Sequence, residues 1–218
     1  MFRRAAAFLA CMVLAGCRMM PDGGDQPRRT AAPTYQLSPE ARQCLANLGK
    51  ADANFTPVPD RWFGAGCSTL NTVHLSAVQS DRDRLEVSNL GPVACPLAHT
   101  FAAWARFGVD RAARQILGSG LARIETMGSY SCRNVAGTGR RSAHSTANAI
   151  DVSAFVLEDG RRVSVLGDWS GGSEDERRFL RTIHGSACKR FATVLGPDYN
   201  AAHRDHMHVE TGGRSYCR

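Results

Sequence analysis

The chain has 218 residues, of which 43% are hydrophobic and 22% charged, and its mean hydropathy is -0.27. That is enough for one domain with a real core, and it argues against disorder over most of the length. The formal charge of +7 suits acidic polymers, but Lys and Arg are scattered rather than clustered, which sets nucleic acid aside as a partner.

Phe2-Arg3-Arg4 is a basic start, and Ala5 to Ala15 is an apolar run too short to span a bilayer. With small residues at its end, the stretch 1–16 reads as a signal peptide. Leu14-Ala15-Gly16-Cys17 resembles the bacterial lipobox, which implies that Cys17 carries lipid and anchors the chain to a membrane. Arg18, in place of Asp, leaves no request for inner-membrane retention, so the expected location is the periplasmic face of the outer membrane. Residues 17–37 are rich in Pro, Gly and Arg without an apolar period and read as a flexible tether reaching about 25 Å.

Residues 38–218 read as the domain. Ser38 and Pro39 begin a helix running to about Leu48 and closed by Gly49. From Asp52 to Cys95, Pro57, Pro59, Gly64 and Gly66 break the chain, leaving small strands at Thr72 to Leu75 and Leu85 to Val87. Pro96 begins a second helix with Leu97, Phe101 and Trp104 on one face, and Asp110 is expected to cap a third ahead of Gly118. Leu121 to Tyr130 reads as a strand running into Cys132 and Arg133, and Gly137 to Arg141 as a loop. Asn148 to Leu157 reads as a central strand, turned by Glu158-Asp159-Gly160 into a partner strand, Arg162 to Leu166. Trp169 to Gly172 is expected to be a polar loop lining a cleft.

Ser173-Glu174-Asp175-Glu176 is a capping box. The helix it opens carries Phe179, Leu180, Ile183, Ala187, Phe191 and Val194 at helical spacing and is expected to end at Gly196-Pro197, with His184 structural or exposed. If His206 to Glu210 is a strand, His206, His208 and Glu210 share one face while Met207 and Val209 point into the core.

His144 and Asp151 stand seven residues apart, and a His206-x-His208 pair follows. Imidazole nitrogen and carboxylate oxygen are zinc donors, and a catalytic zinc takes three protein ligands. His144, Asp151 and His208 are the expected set for one Zn²⁺. Asp151 sits inside an apolar strand, where an unpaired carboxylate is costly and a cation would neutralise it. Six cysteines remain beyond the leader and Cys17, and an even number in an exported domain reads as disulfides. Sequence alone does not choose among their connectivities. The pairing expected here is Cys44–Cys67, Cys95–Cys132 and Cys188–Cys217.

Ser142, His144, Ala149 and Asp151, followed by His-x-His, resemble the zinc peptidases grouped as lysostaphin, D-Ala-D-Ala carboxypeptidase and hedgehog-like. The match departs at Ala147, where glycine is usual. A longer resemblance, from about Cys44 to Cys217, is to the bacterial extensin-like C-terminal domain family. Its marks are Gly128-Ser129-Tyr130-Ser131-Cys132-Arg133, Asn148-Ala149-Ile150-Asp151-Val152 and Leu195-Gly196-Pro197-Asp198-Tyr199-Asn200. The resemblance implies a peptidoglycan stem or cross-link peptide as substrate, with Arg133 facing it. The expected fold is α+β: a small antiparallel sheet carrying the zinc, helices packed on one side, and three disulfides. Asp205 is the expected general base and His206 the group stabilising the oxyanion or departing amine, with exchanged roles as the alternative. Ser142 and Glu210 are expected to support the ligands, Glu210 by orienting an imidazole. Hedgehog-like relatives add a second reading, an inactive zinc-stabilised wall-binding lipoprotein. A structural envelope protein with an incidental His cluster is the third.

Overall fold

Ser38 opens the first helix: its Oγ accepts the Ala41 N–H, and Pro39 stands where no N–H is needed. The computed structural model describes residues 37–213 and 215–218, so the leader, Cys17 and almost all of the tether lie outside the described residues. In chain order the elements are α1 (Pro39–Lys50), β1 (Asn54–Val58), β2 (Arg61–Gly64), β3 (Cys67–Thr69), β4 (Thr72–Gln79), β5 (Arg84–Ser88), β6 (Pro92–Ala94) and α2 (Cys95–Trp104). A π-helical turn, Ala105–Asp110, leads to α3 (Arg111–Leu117) and β7 (Leu121–Gly128). Then come β8 (Ala149–Leu157), β9 (Arg162–Ser164), α4 (Val165–Asp168), α5 (Glu174–Cys188), β10 (Thr193–Leu195), β11 (Met207–Glu210) and β12 (Tyr216–Cys217).

The fold is mixed α+β, but its sheet is not small. Ten strands join it, in the order β1-β4-β5-β7-β8-β11-β10-β12, with β6 beside β4 and β9 beside β8. Pairing is antiparallel except for β5 with β7 and β10 with β12. The extra strands come from the stretch that its breakers made look irregular. Pro57 sits in β1, an edge strand, where a missing N–H does no harm to the ladder. Strands β2 and β3 pair only with each other.

Strand β8 is central, and its alternation divides the molecule. Ile150, Val152, Met207 and Val209 enter the same buried cluster as Trp104, Phe179, Leu180 and Ile183 of the helices. Trp104 anchors that cluster: its ring stands 6.4 Å from Phe155 and 5.9 Å from Phe191, and its Nε1–H donates to the Ile183 carbonyl at 3.1 Å. Asp151 and His208, one step along each strand, therefore face away from the helices.

Several expectations need correction. Asp110 caps nothing; it lies in continuous helix, and its carboxylate accepts from the Leu121 N–H at 2.9 Å and from Arg114 Nε–H at 3.1 Å. The turn before β7 thus claims the carboxylate. The helix begun by the Ser173 capping box ends at Cys188, short of Phe191 and Val194; Val194 belongs to β10, where β11 supplies its partners. The return strand stops at Ser164, whose Oγ accepts the Gly167 N–H and starts α4. Trp169 is buried and takes the Arg181 guanidinium over its ring at 3.9 Å, so it lines no cleft.

Among the described residues the six cysteines form three disulfides, Cys44–Cys95, Cys67–Cys132 and Cys188–Cys217. The third is the one expected, and the first two correct the expected pairing. Helix α1 packs on α2 and brings Cys44 to the start of α2, while β3 lies against the segment after β7 and brings Cys67 to Cys132.

Candidate metal centre

His144 is placed by a single 3₁₀ turn, Ala143–Thr146, capped by Ser142, whose Oγ accepts the His144 N–H at 3.4 Å. Ala147 ends the turn in a left-handed conformation, φ 54°, and starts the chain into β8. A left-handed residue is what glycine supplies without strain, and Ala147 takes that conformation here. Asp151 follows on β8, opposite His208 on β11 in the strand register. Asn148 and Thr211 tie the two strands just beyond them. Thr211 Oγ1–H donates to Asn148 Oδ1 at 2.7 Å, and the Asn148 amide donates back to the Thr211 carbonyl.

The three side chains converge. His144 Nε2 is 3.1 Å from Asp151 Oδ2 and 3.2 Å from His208 Nδ1, and His208 Nδ1 is 2.8 Å from Asp151 Oδ1. They are buried, His144 at 2% exposed and Asp151 at 8%. The outer nitrogen of each ring sets its tautomer. His144 Nδ1 stands 2.6 Å from the Ser129 carbonyl, which only accepts, so Nδ1 carries the proton and Nε2 offers a lone pair. His208 Nε2 faces Glu210 Oε2 at 3.6 Å, which turns Nδ1 inward.

The two inner ring nitrogens and a carboxylate therefore face one buried point, an arrangement that favours positive charge there. With no metal, a proton serves. Burial, the largest influence on His208, pushes it down, yet Asp151 and Glu210 outweigh burial and raise it to about 9. Burial likewise raises the Asp151 carboxyl, but the His144 and His208 rings outweigh it and hold that carboxyl well below the usual range. Two imidazole nitrogens and a carboxylate, with oriented outer nitrogens, are a fitting donor set for Zn²⁺.

A cleft of about 750 Å³ opens over this group, and His203, His206 and His208 look into it. Arg133, exposed, also lines it, with Arg140. His206 is held between two carboxylates: Nδ1 lies 2.8 Å from Asp205 Oδ1 and Nε2 lies 3.6 Å from Asp151 Oδ1. Asp205 stands behind the ring and does not line the cleft. Its carboxyl is held below the usual range, first by the His206 hydrogen bond. His203 Nδ1–H donates to Asn200 Oδ1 at 2.8 Å, and its ring lies 5.0 Å from that of His206. Burial, then the charges of His206 and His208, push His203 down to about 4, so it is neutral at pH 7.

Sequence reasoning named His144, Asp151, His208, His206, Asp205, Glu210, Ser142 and Arg133, and all gather here. It passed over Ser129 and His203. A backbone carbonyl has no side-chain signature, so Ser129 was beyond reach. His203 had one: it is the first of three histidines spaced three and two apart. His184 is half-buried in α5, 5.6 Å from the Trp169 ring. It lies near Cys188 and Cys217, but those sulfurs are bonded to each other and offer no thiolate. Among the described residues no helix is long and apolar enough to cross a membrane.

Residues 42–218 match the family described as Extensin-like protein C-terminus. No curated protein and no solved structure matches the chain.

Proposed function

The chain belongs to the extensin-like C-terminal family, and we propose that its domain is a zinc-dependent hydrolase of cell-wall peptides. One observation carries the reading: two inward-facing imidazole nitrogens and a buried carboxylate converge in a group whose His208 lines an open cleft, beside a third, carboxylate-backed imidazole, His206. The resemblance of the His144–Asp151 and His-x-His motifs to the lysostaphin and carboxypeptidase enzymes adds support for a peptide substrate.

His144, Asp151 and His208 hold the metal. Zinc at such a site supplies Lewis acidity, polarising a carbonyl and lowering the pKa of water to about 7. His206 is then the proton acceptor, since its Nε2 is turned towards Asp151 and into the cleft. Asp205 keeps the proton on His206 Nδ1 and stabilises the imidazolium formed when Nε2 takes a proton from water. That proton passes from Nε2 to the departing amine as the C–N bond breaks. These are the exchanged roles, and the 2.8 Å contact between the two side chains favours them over Asp205 as base. His203, neutral with its proton on Nδ1, offers an Nε2 lone pair that can accept an N–H from the substrate. Arg133 brings five donors to the cleft lining, where it holds a substrate carboxylate.

We also propose that the mature chain begins at a lipidated Cys17 and works at the periplasmic face of the outer membrane, on the motif Leu14-Ala15-Gly16-Cys17. Cys17→Ser should abolish acyl labelling and release the protein from membranes; unchanged membrane association would remove the anchor. The central test is zinc analysis of the purified protein with mass spectrometry of digested muropeptides. The expected result is about one Zn²⁺ per chain and new cleavage products that vanish in His206→Ala. Zinc with no products would leave a metal-stabilised binding module, and no zinc would sink the whole reading.

A further inference from the structure

Tyr216 is 46% exposed and Tyr199 is 41% exposed, yet both line the cleft rather than an outer surface. Their rings stand 5.8 Å apart, Tyr199 stands 5.4 Å from His203, and His203 stands 5.0 Å from His206. The four rings follow one another along the cleft lining from the candidate proton acceptor, and their spacings together reach at most about 16 Å. An extended peptide advances about 3.3 Å per residue, so the row matches roughly four residues of substrate.

The outer end of this row is unusual in how it is held. Tyr216 rides on β12, a two-residue strand at the sheet edge. Three main-chain bonds attach this end to β10 and its flanks: Tyr216 N–H to the Ala192 carbonyl, Arg218 N–H to the Val194 carbonyl, and Gly196 N–H to the Arg218 carbonyl. His184 Nε2–H adds a bond to the Arg218 carbonyl at 3.2 Å. So short an edge strand contributes little stability by itself. The Cys188–Cys217 disulfide, one residue from Tyr216, fixes it to α5. Neither tyrosine ring belongs to the buried core, so packing gives no reason to keep them in this place.

We propose that Tyr216 is a substrate-contact residue that selects for length: the cleft takes an extended peptide of about four residues, and the Cys188–Cys217 bond holds its outer wall. The proposal rests on the cleft being the substrate site. It would make the protein a poor binder of dipeptides and a good one of longer stem peptides.

Binding, rather than turnover, tests it. The zinc-loaded protein is titrated by calorimetry with a synthetic stem tetrapeptide and with the dipeptide D-Ala-D-Ala. Wild type should bind the tetrapeptide at least tenfold more tightly. Tyr216→Ala should weaken the tetrapeptide about tenfold, in keeping with the worth of an aromatic contact, and leave the dipeptide and the zinc content unchanged. Tyr216→Phe, which keeps the ring, should bind like wild type. A Cys188→Ser, Cys217→Ser double variant that retains zinc should repeat the Tyr216→Ala loss. Equal affinity of wild type for the two peptides, or tetrapeptide binding unchanged by Tyr216→Ala, overturns the proposal. Length-dependent binding without cleavage would leave the wall in place and remove only the hydrolase, whereas cleavage unaffected by Tyr216→Ala would do the reverse.

Discussion

Raising the pH of the metal-free protein from 6.5 to 9 strips the proton that takes the place of a cation between His144, Asp151 and His208. In the fold His208 is raised from 6.5 to about 9, because Asp151 and Glu210 outweigh burial. Below 6.5 the ring is protonated in both folded and unfolded chains, and the stabilisation is fully present. Between 6.5 and about 9 only the folded chain keeps the proton, so stability falls as pH rises, by about 1.4 kcal/mol per pH unit and ~3 kcal/mol in all. The same contact seen from Asp151, whose pKa is lowered, acts only at the acid end, and it is one interaction counted once. His203 and His184, both lowered chiefly by burial, also act below their ordinary value and leave the alkaline window clean. Zinc replaces the proton, so the loaded protein should show no such slope, and loading at pH 7.5 should release about one proton per metal. Urea unfolding at several pH values, with and without zinc, reads the slope. Calorimetry in buffers of different ionisation enthalpy reads the proton. A flat profile in the metal-free protein, or an equal slope in the loaded one, would refute the reasoning.

Three further outcomes are expected. His144→Ala, Asp151→Ala and His208→Ala should each abolish stoichiometric zinc, and full occupancy in any two would dissolve the ligand set. His206→Ala should keep zinc and lose about 10²–10⁴-fold in hydrolysis, while Asp205→Asn, which leaves the ring in place, should lose less; the reverse order would return the base to Asp205. Trp104→Ala should cost about 3–5 kcal/mol in chemical denaturation, because its ring stands against Phe155 and Phe191 and its N–H bonds the Ile183 carbonyl.

The site was more legible than the frame around it. Strand alternation placed Met207 and Val209 in the core and His208 on the other face from the sequence alone. The Ser173 capping box likewise appears with both of its hydrogen bonds. These are signals between residues a few positions apart. The first two disulfides and the size of the sheet depend on which segments meet at long range. Cys44 finds Cys95 across a separation of 51 residues, and Cys67 finds Cys132 across 65. The end of α5 failed for a related reason: Val194 keeps helical spacing, but pairing with Val209 decides its conformation. Asp110 was misread because its partner, the Leu121 N–H, lies across a turn rather than at a helix start.

The register pair of Asp151 and His208 has a bearing on the order in which the protein can assemble. His144 and Asp151 are near neighbours in sequence, but His208 joins them only when β11 has docked on β8. Closing so long a loop is an entropic cost met late, after the central strands have formed. Before that moment the chain offers a metal two ligands and a loose hold. On the proposed ligand set zinc would be captured by a fold already made, so a metal-starved chain should still reach its native topology at neutral pH, with the His208 proton keeping the seat.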